Sequence, residues 1–189
     1  MAKKLFWSTT LLLAILCGSS LLLLYSYQEN LIFSGEKLPE QYQFEFSTPF
    51  TERLFDVKGV RINALHFRQE NPRALIFYLH GNTGNVKLWT KNVNFYQRNN
   101  YDFFILDYRG YGKSTGKITS QEQFFDDVET VWNAIESEYE DTPIVIFGRS
   151  LGTWPATKLA AKISPDLLIL VSPFFSLERL IQENYPLVS

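Results

Sequence analysis

The sequence is poor in the residues that most often announce a chemistry. It holds one cysteine, Cys17, so no intrachain disulfide can form and the redox compartment cannot be read from it. It holds two histidines, His66 and His80, so any mechanism that needs a histidine base must draw on one of them. No run of basic residues occurs, and 18 Lys and Arg against 20 Asp and Glu give a formal charge of -2. A slightly acidic chain of this kind carries no electrostatic footprint for nucleic acid. No internal repeat, low-complexity tract or second globular domain is visible, and no metal or cofactor is expected. What remains is 189 residues, 46% hydrophobic and 20% charged, enough for one globular domain with a real core.

The first thirty residues stand apart. Lys3 and Lys4 precede residues 5–27, which carry no charge, and Gln28, Glu29 and Asn30 follow. At about 1.5 Å per residue this stretch reaches across a hydrocarbon core of roughly 30 Å. A cleavable signal peptide is the rival reading. Its apolar region would be about 7–15 residues, and cutting at Cys17-Gly18-Ser19 would leave residues 21–24 exposed. Lipidation at Cys17 is disfavoured by Leu16, which stands where a small residue is expected. The expectation is an uncleaved single-pass anchor over residues 1–30 and a globular domain over residues 31–189. The lysines before the span put the N-terminus on the cytoplasmic side and the domain on the opposite side.

Beyond the anchor, Gln43, Phe44, Glu45 and Phe46 suggest a first short strand, and residues 54–67 a strand pair turning near Lys58-Gly59. Residues 74–79, 103–106, 144–147 and 167–171 are then unbroken apolar runs. Short runs apolar on both sides, separated by helical stretches, suit a parallel sheet covered on both faces. Residues 121–139 place Phe124, Val128, Val131 and Ile135 on one stripe, with Ser120 and Gln123 as a capping box. Weaker helical patterns cover residues 86–98 and 151–163. The fold class is α/β, with a mostly parallel sheet flanked by helices.

Sites in such sheets form at the carboxyl ends of strands, and three ends here are unusual. The run 144–147 leads into Gly148-Arg149-Ser150-Leu151-Gly152 and a helix, a G-x-S-x-G in the strand–turn–helix setting that presents a nucleophilic serine. The plainer reading is a serine cap between loop glycines. The run 74–79 ends in His80-Gly81-Asn82-Thr83-Gly84-Asn85, a turn able to aim backbone N–H groups at an oxyanion, with the N–H of Leu151 as partner. The plainer reading there is a loop with capping asparagines. The third run ends in Asp107-Tyr108-Arg109-Gly110-Tyr111-Gly112-Lys113-Ser114. Gly112-Lys113-Ser114 imitates a phosphate-binding loop, but Asp107 stands where its first glycine is needed. A tight structural turn is the better reading.

In this order and spacing, His80-Gly81-Asn82, the turn with Asp107, Gly110 and Gly112, and the elbow Gly148–Ser150–Gly152 resemble the α/β-hydrolase fold. The fuller loop and the N-terminal anchor are similar to its branch of membrane-anchored serine hydrolases. The resemblance implies an eight-stranded sheet and hydrolysis of an ester, thioester or amide of a small acyl-containing or lipid-like substrate. Ser150 is then the nucleophile, and Asn82 and Leu151 lend oxyanion-hole N–H groups.

The resemblance also breaks. The family order is serine, carboxylate, histidine, yet after Ser150 the sequence has only Asp166, Glu178 and Glu183 and no histidine. Asp166 precedes a strand, at the wrong end of the sheet. His80 belongs to the oxyanion loop, and His66, on an early strand, reads as structural. Residues 167–171 would make an apolar open edge if they were the last strand, and residues 180–189 look like the start of a further segment. The expectation is a C-terminally truncated hydrolase, inactive alone. A membrane-anchored binding protein on the same fold is the alternative. Pro155, inside the third helix, is expected to remove a backbone hydrogen bond and cost about 3 kcal/mol unless the helix bends.

Overall fold

Each apolar run from residue 54 onward is a strand. The computed structural model describes residues 33–173, with residues 6, 7, 10, 12 and 15–22 of the N-terminal segment. Glu178, Glu183 and residues 180–189 lie outside these. The chain divides into two units at Ser34–Gly35. In the first, the described residues up to Leu22 are helical, with Phe6, Trp7, Leu12, Ile15, Leu16, Leu21 and Leu22 exposed. Among the described residues no helix is long and apolar enough to cross a membrane. The expected span of residues 5–27 runs over positions outside them.

In the second unit, strands β1 (Thr51–Val57) and β2 (Val60–Phe67) form an antiparallel hairpin. Lys58 and Gly59 turn it with φ of 50° and 78°, the left-handed pair that matches strand twist. Strands β3 (Leu75–Leu79), β4 (Asp102–Leu106), β5 (Ile144–Arg149) and β6 (Leu167–Val171) are mutually parallel, and β2 runs antiparallel to β4. The order is β1-β2-β4-β3-β5-β6. All residues of β3 and β4 are buried, which is why neither run alternates.

Helices α1 (Val86–Trp89) and α2 (Val93–Arg98) cover one face, where Ile76, Tyr78, Phe103, Ile105 and Phe147 meet Val86, Val93 and Tyr96. Helices α3 (Gln121–Asn133) and α4 (Thr153–Ile163) cover the other. There Phe77 packs edge-on to Trp132, and Phe124 stacks on Trp154.

Four expectations need correction. Residues 43–46 are not a strand: Phe44 and Phe46 lie over the sheet face beside Phe67, so their backbone has no neighbour to pair with. Single bridges, Gly35 to Gly84 and Lys37 to Gly112, tie this strap down, and Lys113 Nζ donates to Tyr42 O at 3.1 Å. Residues 86–98 form two short helices, because Thr90 caps the first with both its N–H and its hydroxyl on Val86 O. The helix from Gln121 ends at Asn133, and a tighter 3-10 turn, Glu136–Tyr139, carries Tyr139 inward. Its cap is as read, with Ser120 accepting from Gln123 N–H, while the Gln123 side chain accepts from Thr119 N–H. Lastly, Pro155 is the third residue of α4, whose first N–H groups have no helical partner in any case. It costs no hydrogen bond and need not bend the helix.

Candidate active site

The sheet order fixes where a cleft must lie. From β3 the chain crosses to β4 on one side, then returns to β5 on the other. The loops leaving β3 and β5 therefore diverge, opening a crevice at their carboxyl ends. The loop after β3 begins with His80, and the turn after β5 is centred on Ser150.

Ser150 has φ 47°, left-handed backbone that an L-residue with a side chain adopts only under constraint. It opens a 3-10 turn, Ser150–Gly152, that feeds α4, and its carbonyl accepts from Thr153 Oγ1 at 2.6 Å. The two flanking glycines are sterically obligatory. A Cβ on Gly148 would lie 2.6 Å from Ala156 Cβ, and one on Gly152 would lie 2.1 Å from Leu79 O. Gly152 is thus pressed on the Leu79–His80 backbone. A Cβ on Gly81 would sit 3.0 Å from Trp89 and 3.6 Å from Arg149 O. Loop and elbow are in contact through backbone, with no room for a side chain between them. Leu151 sits in the turn directly after Ser150, half-buried, and Asn82 sits half-buried in the loop.

The third strand end buttresses the loop. Tyr111 Oη donates to Asn82 Oδ1 at 2.8 Å, and Tyr108 Oη to His80 O at 2.8 Å. Asp107 is fully buried and accepts the Val86 N–H at 2.8 Å, fixing the start of α1. Burial pushes its carboxyl up to about 8. Gly112, with φ 45°, passes so close that a Cβ would lie 1.9 Å from Asp107 Oδ2, and Gly110 turns the chain with φ 85°. No helix begins until Gln121, as expected of a structural turn rather than a phosphate loop.

Neither histidine is placed to serve Ser150. His80 is buried among Tyr108, Tyr111 and Trp89, and its Nδ1–H donates to Gly81 O at 2.7 Å. Its Nε2 lies 3.8 Å from Asp107, beyond hydrogen-bond length. Burial lowers this imidazole to about 4. His66 belongs to a different chain of groups: it contacts Tyr139 Oη at 2.5 Å, which donates to Asp102 at 2.6 Å. Asp102 opens β4, at the amino end of the parallel strands and away from the cleft. Burial, then Arg68 and Arg53, lower His66 to about 3. Asp166 is likewise remote, accepting the N–H of Ile144 at the start of β5. Among the described residues no group of three or more His, Cys, Asp and Glu could hold a metal.

Sequence reading missed Trp89 and Arg149. Trp89 Nε1 donates to Thr83 O at 2.8 Å, and the Arg149 guanidinium lies 5.3 Å above its ring. With Tyr78, Leu88, Tyr96 and Phe147 they line a cleft of about 400 Å³ beside the elbow. No spacing signals this, since the partners come from four separate elements, β3, α1, α2 and β5.

Comparison with known proteins agrees with this geometry. A family model described as serine aminopeptidase, S33, matches residues 70–188. Uncharacterized protein R595 of Acanthamoeba polyphaga mimivirus is 33% identical over 139 residues, 67% of this chain and 47% of that protein. Human alpha/beta hydrolase domain-containing protein 17B is 33% identical over 63% of this chain and 42% of its own length. Protein bem46 of Schizosaccharomyces pombe is 31% identical over 86% of this chain and 59% of its own length. The chain thus spans about half the length of these curated relatives. Among solved structures, XC6422 of Xanthomonas campestris, an α/β serine hydrolase without a lid, superposes with a TM-score of 0.58 at 17% identity. That match covers 69% of this chain and 64% of the other, and is a likeness of fold. With the family match covering more than half its length, the chain belongs to the serine aminopeptidase S33 family of the α/β-hydrolase fold.

Proposed function

We propose that Ser150 is the nucleophile of a serine hydrolase acting on an ester, thioester or amide acyl bond. The observation that carries this reading is the left-handed backbone of Ser150 between two glycines that admit no side chain. Such a turn lifts a hydroxyl clear of the sheet at the start of a helix. Ser150 Oγ attacks the acyl carbon and gives its proton to a base, while the N–H groups of Asn82 and Leu151 hold the oxyanion. Collapse expels the alcohol, thiol or amine with that proton, and water then releases the acid.

The base is the missing part. Both histidines are buried in other networks, and there is no third. Assayed by itself, the 189-residue chain is expected to be inactive or nearly so. Turnover of a soluble ester that vanishes in Ser150→Ala would overturn this while supporting the nucleophile. A test independent of the base is Ser150→Cys made with Cys17→Ser. The start of α4 should lower the introduced thiol below about 8.5, so that iodoacetamide alkylates it faster than a free thiol at neutral pH. A rate no faster than free thiol counts against the site. The binding-only alternative is decided by the coding sequence past the Ser189 codon: a strand-end Asp and then a His favour the enzyme, a stop favours binding.

The N-terminal unit is, in this reading, a single-pass membrane anchor with its N-terminus cytoplasmic and the domain opposite. Residues 5–27 are uncharged, and the hydroxyls of Thr10 and Ser19 bond back to the carbonyls of Phe6 and Leu16, so neither needs water. Release of the full chain from membranes by alkaline carbonate would refute it.

A further inference from the structure

The α1–α2 segment is locally cationic. From His80 to Tyr101 the sequence has no acid and three cations, Lys87, Lys91 and Arg98, all exposed on the α1–α2 side. Among the described residues none of the three pairs with a carboxylate. On the opposite side, residues 121–141 hold eight acids and no cation. Four of these eight acids are held in ion pairs, Asp126 with Lys58, Asp127 with Arg109, Glu129 with Lys162 and Glu138 with Arg53 and Arg68.

The α1–α2 face also exposes large apolar side chains. Phe95 is 59% exposed and Leu88 38% exposed, both between Lys87 and Arg98 in the sequence. Two exposed large apolar side chains in a segment whose charged residues are all lysine or arginine match the composition of surfaces that lie in a lipid interface. The patch adjoins the cleft. A Cβ on Gly84 would lie 2.8 Å from Leu88, so Leu88 rests on the His80–Asn85 loop. The next residue, Trp89, is hydrogen-bonded to that loop at Thr83.

We propose that the α1–α2 face docks the globular domain on an anionic phospholipid surface, with Phe95 and Leu88 entering the headgroup–acyl boundary and Lys87, Lys91 and Arg98 meeting the phosphates. Charge complementarity selects this occupant, an anionic leaflet on whichever side of the membrane the domain lies. Docking there presents the cleft beside Gly81 to acyl groups carried in the lipid layer. That consequence rests on Ser150 being the nucleophile; the docking does not.

The test separates the two. The full chain carrying Cys17→Ser, Ser150→Ala and Phe95→Cys is labelled with the polarity-sensitive fluorophore NBD and reconstituted in vesicles. A control carries Glu136→Cys, on the acidic side, in place of Phe95→Cys. Because Ser150 is gone, the readout owes nothing to turnover. In vesicles of phosphatidylcholine with phosphatidylserine, the label at position 95 should shift to the blue and be quenched by lipid-borne nitroxides. The label at 136 should do neither. Pure phosphatidylcholine or high salt should reverse the shift, as should Lys87→Gln, Lys91→Gln and Arg98→Gln together, which lower the docked-to-free ratio roughly a hundredfold. Equal spectra at positions 95 and 136 in anionic vesicles would overturn the proposal. A blue-shifted label at 95 that persists in neutral vesicles or detergent would also overturn it, since the face would then be covered by protein.

Discussion

Ser150 holds a backbone that its own Cβ resists. Left-handed φ costs an ordinary L-residue about 1–2 kcal/mol, and the surrounding contacts impose it: Gly152 is wedged on Leu79 and His80, and Gly148 on Ala156 and Thr153. Ser150→Gly should therefore raise stability by roughly 1 kcal/mol in urea unfolding while removing the hydroxyl. Gly152→Ala should act in the other direction, costing about 3 kcal/mol, because its new methyl meets carbonyl oxygens that belong to β3 and cannot swing aside. If Ser150→Gly destabilises instead, the turn is not strained and the reading of the elbow is wrong. The pattern G-x-S-x-G was legible in the sequence. The reason its glycines are glycines was not, since the atoms they avoid belong to residues up to 73 positions away.

At the scale of elements, the turn after β4 is the keystone of the cleft. It places Asp107 under α1, Tyr108 under His80 and Tyr111 against Asn82, and it is clamped to α3 by Arg109. The Arg109 guanidinium makes two bonds to Asp127, at 2.5 and 2.7 Å, with both side chains buried. Removing one partner leaves the other charged and dry. Asp127→Ala should cost about 3–5 kcal/mol, whereas Asp126→Ala, which breaks an exposed pair with Lys58, should cost under about 1 kcal/mol. Chemical denaturation of the two neighbours in one sequence is a clean comparison. Equal losses would mean that the Arg109 pair is not desolvated in solution. Sequence reading singled out this turn and rejected it as a phosphate loop, but it could not see the clamp, because Arg109 and Asp127 meet across a crossover. The helices show the same limit. The stripe of α3 announced a helix, yet where it stops is set by Tyr139, which turns inward to reach Asp102 and His66.

For the molecule as a whole, three buried titratable groups set how stability follows pH. The native His66 and His80 resist protonation down to about 3 and about 4, whereas the unfolded chain takes up those protons near 6.5. Stability contributed by these two histidines therefore falls as pH drops from 6.5 toward 4. Asp107 works in reverse: its native carboxyl keeps a proton up to about 8, while the unfolded chain releases it above 3.8. Its contribution falls as pH rises through that window. Urea midpoints of the parent chain should thus decline on both sides of pH 6.5. In Asp107→Asn the decline between 6.5 and 8 should flatten, and the acid-side decline should steepen. An unchanged profile in that variant would mean Asp107 is ionised in the native state.

The sequence by itself determined the parallel-sheet architecture, the strand positions from residue 54 to 171, the G-x-S-x-G pattern around Ser150 and the absence of any third histidine. Those follow from local signals: apolar runs too continuous for a half-exposed sheet, and a glycine pattern with one geometric use. Only the tertiary structure decided that residues 43–46 strap the sheet instead of joining it, that Pro155 falls harmlessly in a first turn, and that both histidines are sealed in other networks. It also left Lys87, Lys91 and Arg98 exposed beside Leu88 and Phe95. Each of these depends on which face a residue meets and which distant strand lies beneath it. A one-dimensional pattern carries no such information, because burial and pairing are fixed by the strand order β1-β2-β4-β3-β5-β6.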